Sequence, residues 1–215
     1  MNHPRLWYGG GIAGALSVCA YFAAIFIPWP ENQLGTSVSL AVVSLFPILG
    51  IVAVFALCDY IAAQGEGVAH RIAFAFAVAG FSTLLAMLLV QLAVSAGAAE
   101  MARGLDAATA KALKRSLRLV DLGLDVAWDL LFGTAMVFLG FALRKRSGFG
   151  PSWGLPLLVL GVLLMVLNIA TFPWPPGDHG SVDLGPLAGM FMLALFIRLA
   201  FLGRRARPAP AAEIR

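Results

Sequence analysis

Residues 38–58 read VSLAVVSLFPILGIVAVFALC, a run without a single charged side chain. A helix needs about 20 such residues to cross the hydrocarbon of a bilayer. In lipid no water is present to satisfy backbone N–H and C=O groups, so a lone crossing segment has to be helical. Similar runs recur along the chain. The expected spans are residues 9–28, 38–58, 72–96, 122–143, 155–172 and 184–202. Period-2 alternation, which a membrane barrel requires, is absent from them.

The composition agrees with these runs. The chain has 215 residues, 60% hydrophobic and 12% charged, with mean hydropathy +0.89. Soluble domains carry about 25% charged residues, and a water-soluble fold of this size cannot hide so much apolar side chain. The fold class expected is therefore all-α: a polytopic membrane bundle of six transmembrane helices. The N-terminal run is too long for a signal h-region, and Pro28-Trp29-Pro30 follows it rather than a small-residue cleavage site. It reads as a retained helix. Cys19 and Cys58 lie at different depths and read as small packing residues rather than a disulfide.

Arg5, Arg71, Arg144, Lys145 and Arg146 cluster at one end of the expected bundle, with Arg198, Arg204, Arg205, Arg207 and Arg215. By the positive-inside rule this puts both termini in the cytoplasm. The net charge of +4 is then a topology signal, not a nucleic-acid signal. Segment 97–121 is the exception. It carries Arg103, Lys111, Lys114, Arg115 and Arg118 on the expected outer side. Its apolar residues recur at helical spacing, so residues 98–120 read as an amphipathic connector with Asp106 as N-cap. It either lies in the interface plane or runs straight into the fourth helix. Residues 204–215 read as a disordered basic tail.

Gly10 and Gly14, Ala73 and Ala77, and Gly185 and Gly189 are small residues four apart, the spacing of close helix crossings. Pro28-Trp29-Pro30 with Ser37-Val38 is echoed by Pro173-Trp174-Pro175 with Ser181-Val182. Either a duplicated hairpin or ordinary interface chemistry accounts for the echo.

The sharpest chemical feature is DLGLDVAWD, residues 121–129. Asp121, Asp125 and Asp129 stand four apart and share one helix face within about 80°. An acid near the bilayer centre costs about 2.5–3.5 kcal/mol on insertion scales. A proton, a cation, a basic partner or water must offset that cost. Gln91, Asn168 and Thr171 belong to the same outer half, and Trp128, Trp29 and Trp174 could wall it. The expected site is thus an outward-facing polar pocket at the start of the fourth helix, with Asp125, Asp129, Gln91, Asn168 and Trp128 as its candidates. A structural alternative pairs the aspartates with Arg115 or Arg118. Arg198 reads as snorkelling or as pairing with Asp59.

No Cys/His cluster suits a metal, and no Walker-type glycine motif is present. The aspartate spacing superficially resembles the Asp-rich motif of intramembrane prenyltransferases, but their second such motif is missing. No cofactor and no nucleic acid are expected. The expected partners are the lipid bilayer and a small ligand or cation.

The stretch RKRSGFGPSWGLPLLVLGVLL, Arg144 to Leu164, resembles the loop and following helix of uncharacterised bacterial membrane proteins of domain-of-unknown-function family 4386. The helical layout is similar over roughly residues 35–172. Pro151-Ser152-Trp153 departs from the basic element expected there. The resemblance implies a multi-pass protein of the bacterial inner membrane with no assigned activity, and it carries over no functional residue. The leading functional expectation is small-molecule or ion binding and transport. The alternatives are a membrane-embedded enzyme acting on a lipid and a non-catalytic subunit of a membrane complex.

Overall fold

The computed structural model describes residues 3–28, 33–65, 67–101, 103–171 and 184–206. Apart from Pro28, the two Pro-Trp-Pro motifs, Trp29 and Trp174 among them, and the basic tail after residue 206 lie outside the described residues. The elements are α1 (Pro4–Phe26), α2 (Gln33–Ala62), α3 (Ala69–Met101), α4 (Ala107–Leu143), α5 (Pro151–Thr171) and α6 (Gly185–Arg205). All six are long and apolar enough to cross a membrane, the pattern of a multi-pass membrane protein.

The helices form a ring. α1 packs between α2 and α6, α3 between α2 and α4, and α5 against α4, while α5 and α6 barely touch. The end holding the start of α1, the α2–α3 and α4–α5 turns and the end of α6 is termed the basal end. The opposite one is the arm end.

Close approach of backbones builds this ring. At Gly10 a Cβ would collide with Ala56 of α2, and at Gly14 with the Phe196 ring of α6. Ala73 and Ala77 are fully buried. The Gly185/Gly189 pair differs from expectation: a Cβ on Gly189 would meet Tyr21 and Phe22 only at ordinary contact distance. Those glycines widen a cavity instead of tightening a crossing. A further close crossing, not expected from the sequence, joins α4 to α5. Gly133 faces Gly161 and Gly140 faces Gly154, so glycines seven apart meet in antiparallel order.

Pro47 lies inside α2 and cannot donate to the preceding turn. Beside it the Ser17 hydroxyl of α1 donates to the Phe46 carbonyl at 2.6 Å. The bond that Pro47 removes is the one to the Val43 carbonyl, four residues back; the Ser17 hydroxyl ties α1 to α2 at the carbonyl of the adjacent residue.

The basic segment is no separate connector. α4 starts at Ala107 and continues for 37 residues, about 55 Å at 1.5 Å per residue. That exceeds a hydrocarbon core of about 30 Å, so its first turns extend from the arm end. Asp106 caps it, accepting from the Ala108 and Thr109 amides at 2.9 and 3.0 Å and from the Thr109 hydroxyl at 2.6 Å. These bonds, the Thr109 hydroxyl first, hold the Asp106 carboxyl below its ordinary value of 3.8. A depressed folded-state value means the cap is fully present above that ordinary value and is lost as pH falls through the lower one. Amide exchange at Thr109, corrected for its intrinsic pH dependence, is expected to stay flat from neutrality to pH about 5 and to accelerate below the ordinary carboxylate range. Asp106→Ala should give the fast rate at every pH.

Candidate functional site

α4 carries the acidic face, and its register sets where each acid points. Its buried stripe includes Val126, Asp129, Phe132, Gly133, Met136 and Gly140. Asp129 falls on this stripe and is only 5% exposed. Asp125 and Asp121, one and two turns nearer the arm end, are half-buried. Towards the start of the helix the same face carries Arg118, Arg115 and Lys111, at helical spacing from the acids. One polar stripe therefore runs from exposed cations to a buried carboxyl.

Gln91 of α3 donates from Nε2 to Asp121 Oδ1 at 2.7 Å. The structure thus brings Gln91 to the outermost acid, not to Asp129. Asn168 turns back on its own helix, Nδ2 donating to the Leu164 carbonyl at 2.9 Å. The side chain of Thr171 lies outside the described residues.

At the centre of the ring sits a narrow cavity of about 30 Å³. That is room for one or two waters. Trp128, Phe132, Phe81, Phe46, Tyr21 and Phe196 wall it, with Ser17 and the Gly185–Gly189 turn of α6. The aromatic rings form a chain. Phe46 meets Phe81 edge-on at 5.8 Å, Phe81 meets Phe132 at 5.2 Å, and Phe132 stacks on Trp128 at 5.5 Å. Of the five candidate residues, Trp128 alone lines this space; Asp125, Asp129, Gln91 and Asn168 do not. A polar pocket was expected, and the space is apolar because the cavity side of α4 presents Trp128 and Phe132 while the acid face is rotated past it. Trp128 Nε1 is sequestered from solvent with no acceptor among the described residues. A buried donor left so costs about 1–3 kcal/mol unless a water or ligand accepts from it.

The basal end holds a polar network that sequence reasoning did not assemble. Asp59 of α2 accepts from Trp7 Nε1 at 2.8 Å and meets His3 Nδ1 at 3.3 Å. Tyr60 donates to the Ser147 carbonyl at 2.7 Å, and Arg146 donates to the Gln64 and Gly65 carbonyls at 2.9 and 3.1 Å. Arg198 was a candidate partner for Asp59. It donates instead to the Gly148 carbonyl at 3.0 Å, because the α4–α5 turn reaches it and Asp59 is already engaged by α1. Gly148 has φ +84°, and a Cβ there would collide with Tyr60 Oη. The signal available in the sequence was an Asp near a helix end, with Trp7 and His3 near another.

This network ties α1, α2, the α4–α5 turn and α6 together and reads as structural. Asp59→Leu strands the buried Trp7 N–H and is expected to cost about 1–3 kcal/mol. Asp59→Asn keeps an acceptor and should retain most of the stability; thermal unfolding in detergent distinguishes the two.

Among the described residues no group of three or more His, Cys, Asp or Glu gathers as a metal site would need. Cys58 donates to the His70 carbonyl at 3.3 Å, and Cys19 is exposed; both are free thiols. No protein-family model matches the chain, and no curated protein or solved structure matches it significantly.

Proposed function

We propose that this chain binds a small cation or small cationic solute at the arm end of α4 and carries it across the bacterial inner membrane. The observation behind this reading is a carboxyl, Asp129, nearly excluded from solvent inside a membrane-spanning helix and one residue from an aromatic wall. A carboxyl at such depth is rarely retained without a role in an ion or proton path. Aromatic faces attract cations through their quadrupoles, so the Trp128–Phe132 stack suits the same charge. Asp121 and Asp125 supply a stepped acidic route from the arm end.

The cavity is too small for an organic solute as it stands. The weak α5–α6 seam borders it through Leu164 and Gly185, so separation of those two helices is the cheapest way to enlarge it. In the orientation that the basic basal end favours, both termini are cytoplasmic and the arm faces outward.

The test is flux in proteoliposomes of the full chain, read as proton uptake by an enclosed pH dye and as uptake of sodium and tetramethylammonium. Wild-type protein should move at least one probe above empty liposomes, and Asp129→Asn should not. Equal flux in both proteins would sink the proposal.

A further inference from the structure

A second feature lies away from the acidic face, on the outside of the ring. α1 and α6 pack antiparallel, and between them runs a groove of about 220 Å³. Its floor is made of small residues. Gly11 and Ala200 sit so close that a Cβ on Gly11 would strike the Ala200 backbone. With no side chain to fill it, the surface is left concave. The walls are apolar and face outward, Ile12 at 39% and Phe201 at 54% exposure.

The groove is polar only at its basal head. There Tyr8 of α1 and Arg204 of α6 line it. Arg5 stands one turn before Tyr8 on the same face of α1 and is exposed, as is Arg204. From Arg204 the lining runs inward through Phe201 and Ala200 to Ile197, four positions at helical spacing. Seven residues of rise make it about 10 Å long, parallel to the spans. Arg204 is in the last turn of α6, where an apolar span ends and lipid headgroups begin.

We propose that this groove is a binding site for one anionic glycerophospholipid of the leaflet at the basal end. One acyl chain lies along the Gly11–Ala200 floor, and the headgroup phosphate meets Arg204 and Arg5. Charge complementarity selects the anionic headgroup, and the apolar floor selects an attached chain. A free phosphate gains nothing from the floor, and a zwitterionic lipid brings no net charge to two exposed guanidinium groups. Basic pockets beside membrane helices hold acidic headgroups by the same combination. The site is independent of the acidic face of α4.

Native mass spectrometry of the full chain, released from detergent and titrated with phosphatidylglycerol or phosphatidylcholine, tests this. Wild-type protein should retain one phosphatidylglycerol in preference to phosphatidylcholine. Arg204→Gln should cut that preference about fivefold, the equivalent of about 1 kcal/mol for one basic residue near the surface. Ala15→Phe, which fills the inner end of the groove, should weaken both lipids alike. Arg204→Gln alters an exposed side chain and keeps the test decisive if Ala15→Phe does not fold. Undiminished binding by Arg204→Gln would overturn the proposal. So would a headgroup preference abolished instead by Lys111→Gln with Lys114→Gln at the arm end, or a dimer that only the groove variants dissolve.

Discussion

Gly140→Leu is expected to separate α4 from α5 and to destabilise the bundle by about 3 kcal/mol or more. A Cβ built on Gly140 lies 2.6 Å from the Gly154 carbonyl oxygen and 2.8 Å from both the backbone nitrogen and the Cβ of Leu158. Two of those three atoms are backbone, so no rotamer change relieves the clash. The helices have to move apart, and the crossing one heptad away opens too, where Gly133 abuts the Gly161 carbonyl. Overpacking a well-filled core costs about 1–3 kcal/mol. Loss of dispersion contact along a whole membrane-helix pair adds to that, since lipid supplies no hydrophobic drive to restore it. Gly189→Ala is the control. Its added methyl meets only ring atoms at 3.6–3.8 Å, and its effect should stay within about 0.5 kcal/mol. Unfolding in mixed micelles, followed by tryptophan fluorescence, compares the two. Equal stability of both variants would show that the α4–α5 contact is not as close as described.

Asp129→Asn is expected to abolish the proposed cation flux while leaving the fold intact, and Asp129→Leu to abolish it equally. The two variants separate a ligand site from a structural one. Asp129 is 5% exposed within a helix that spans the membrane. If the carboxyl serves a cation, its burial is a cost borne for function. That cost is about 2.5–3.5 kcal/mol on insertion scales, and a leucine, of the same branched shape though bulkier, should recover part of it, raising the thermal midpoint. If the carboxyl chiefly holds a basic or hydrogen-bonding partner inside the bundle, removing it strands that partner and should lower stability by about 3–5 kcal/mol. Thermal unfolding of Asp129→Leu beside wild type, with flux measured on the same preparations, reads both quantities. A midpoint that falls together with the flux would favour the structural role.

Several local features were legible in the chain. Asp106 was readable as a cap because capping is decided within four residues. The three-aspartate face was readable because 3.6 residues per turn is a property of one helix. The partners were another matter. Gln91 and Asn168 shared the depth of the acids, but depth does not specify rotation. Gln91 meets Asp121, and Asn168 bonds its own helix. Arg198 shared the depth of Asp59, yet the α4–α5 turn claims it. The Gly133/Gly161 and Gly140/Gly154 contacts do not follow the spacing of four, because along this antiparallel crossing the glycines meet every seven residues.

What the amino-acid order determined by itself is the number of apolar spans, their helical state, and the acids and cations along α4. Those properties depend on transfer from water to lipid, which adds residue by residue, and on backbone bonding within one segment. What only the tertiary structure decided is the order of helices around the ring, the weak α5–α6 seam, the aromatic cavity and the groove between α1 and α6. A helix that is apolar on every side has no stripe to tell which face meets a neighbour. That choice was made by non-local packing, at the few glycines where two backbones can touch.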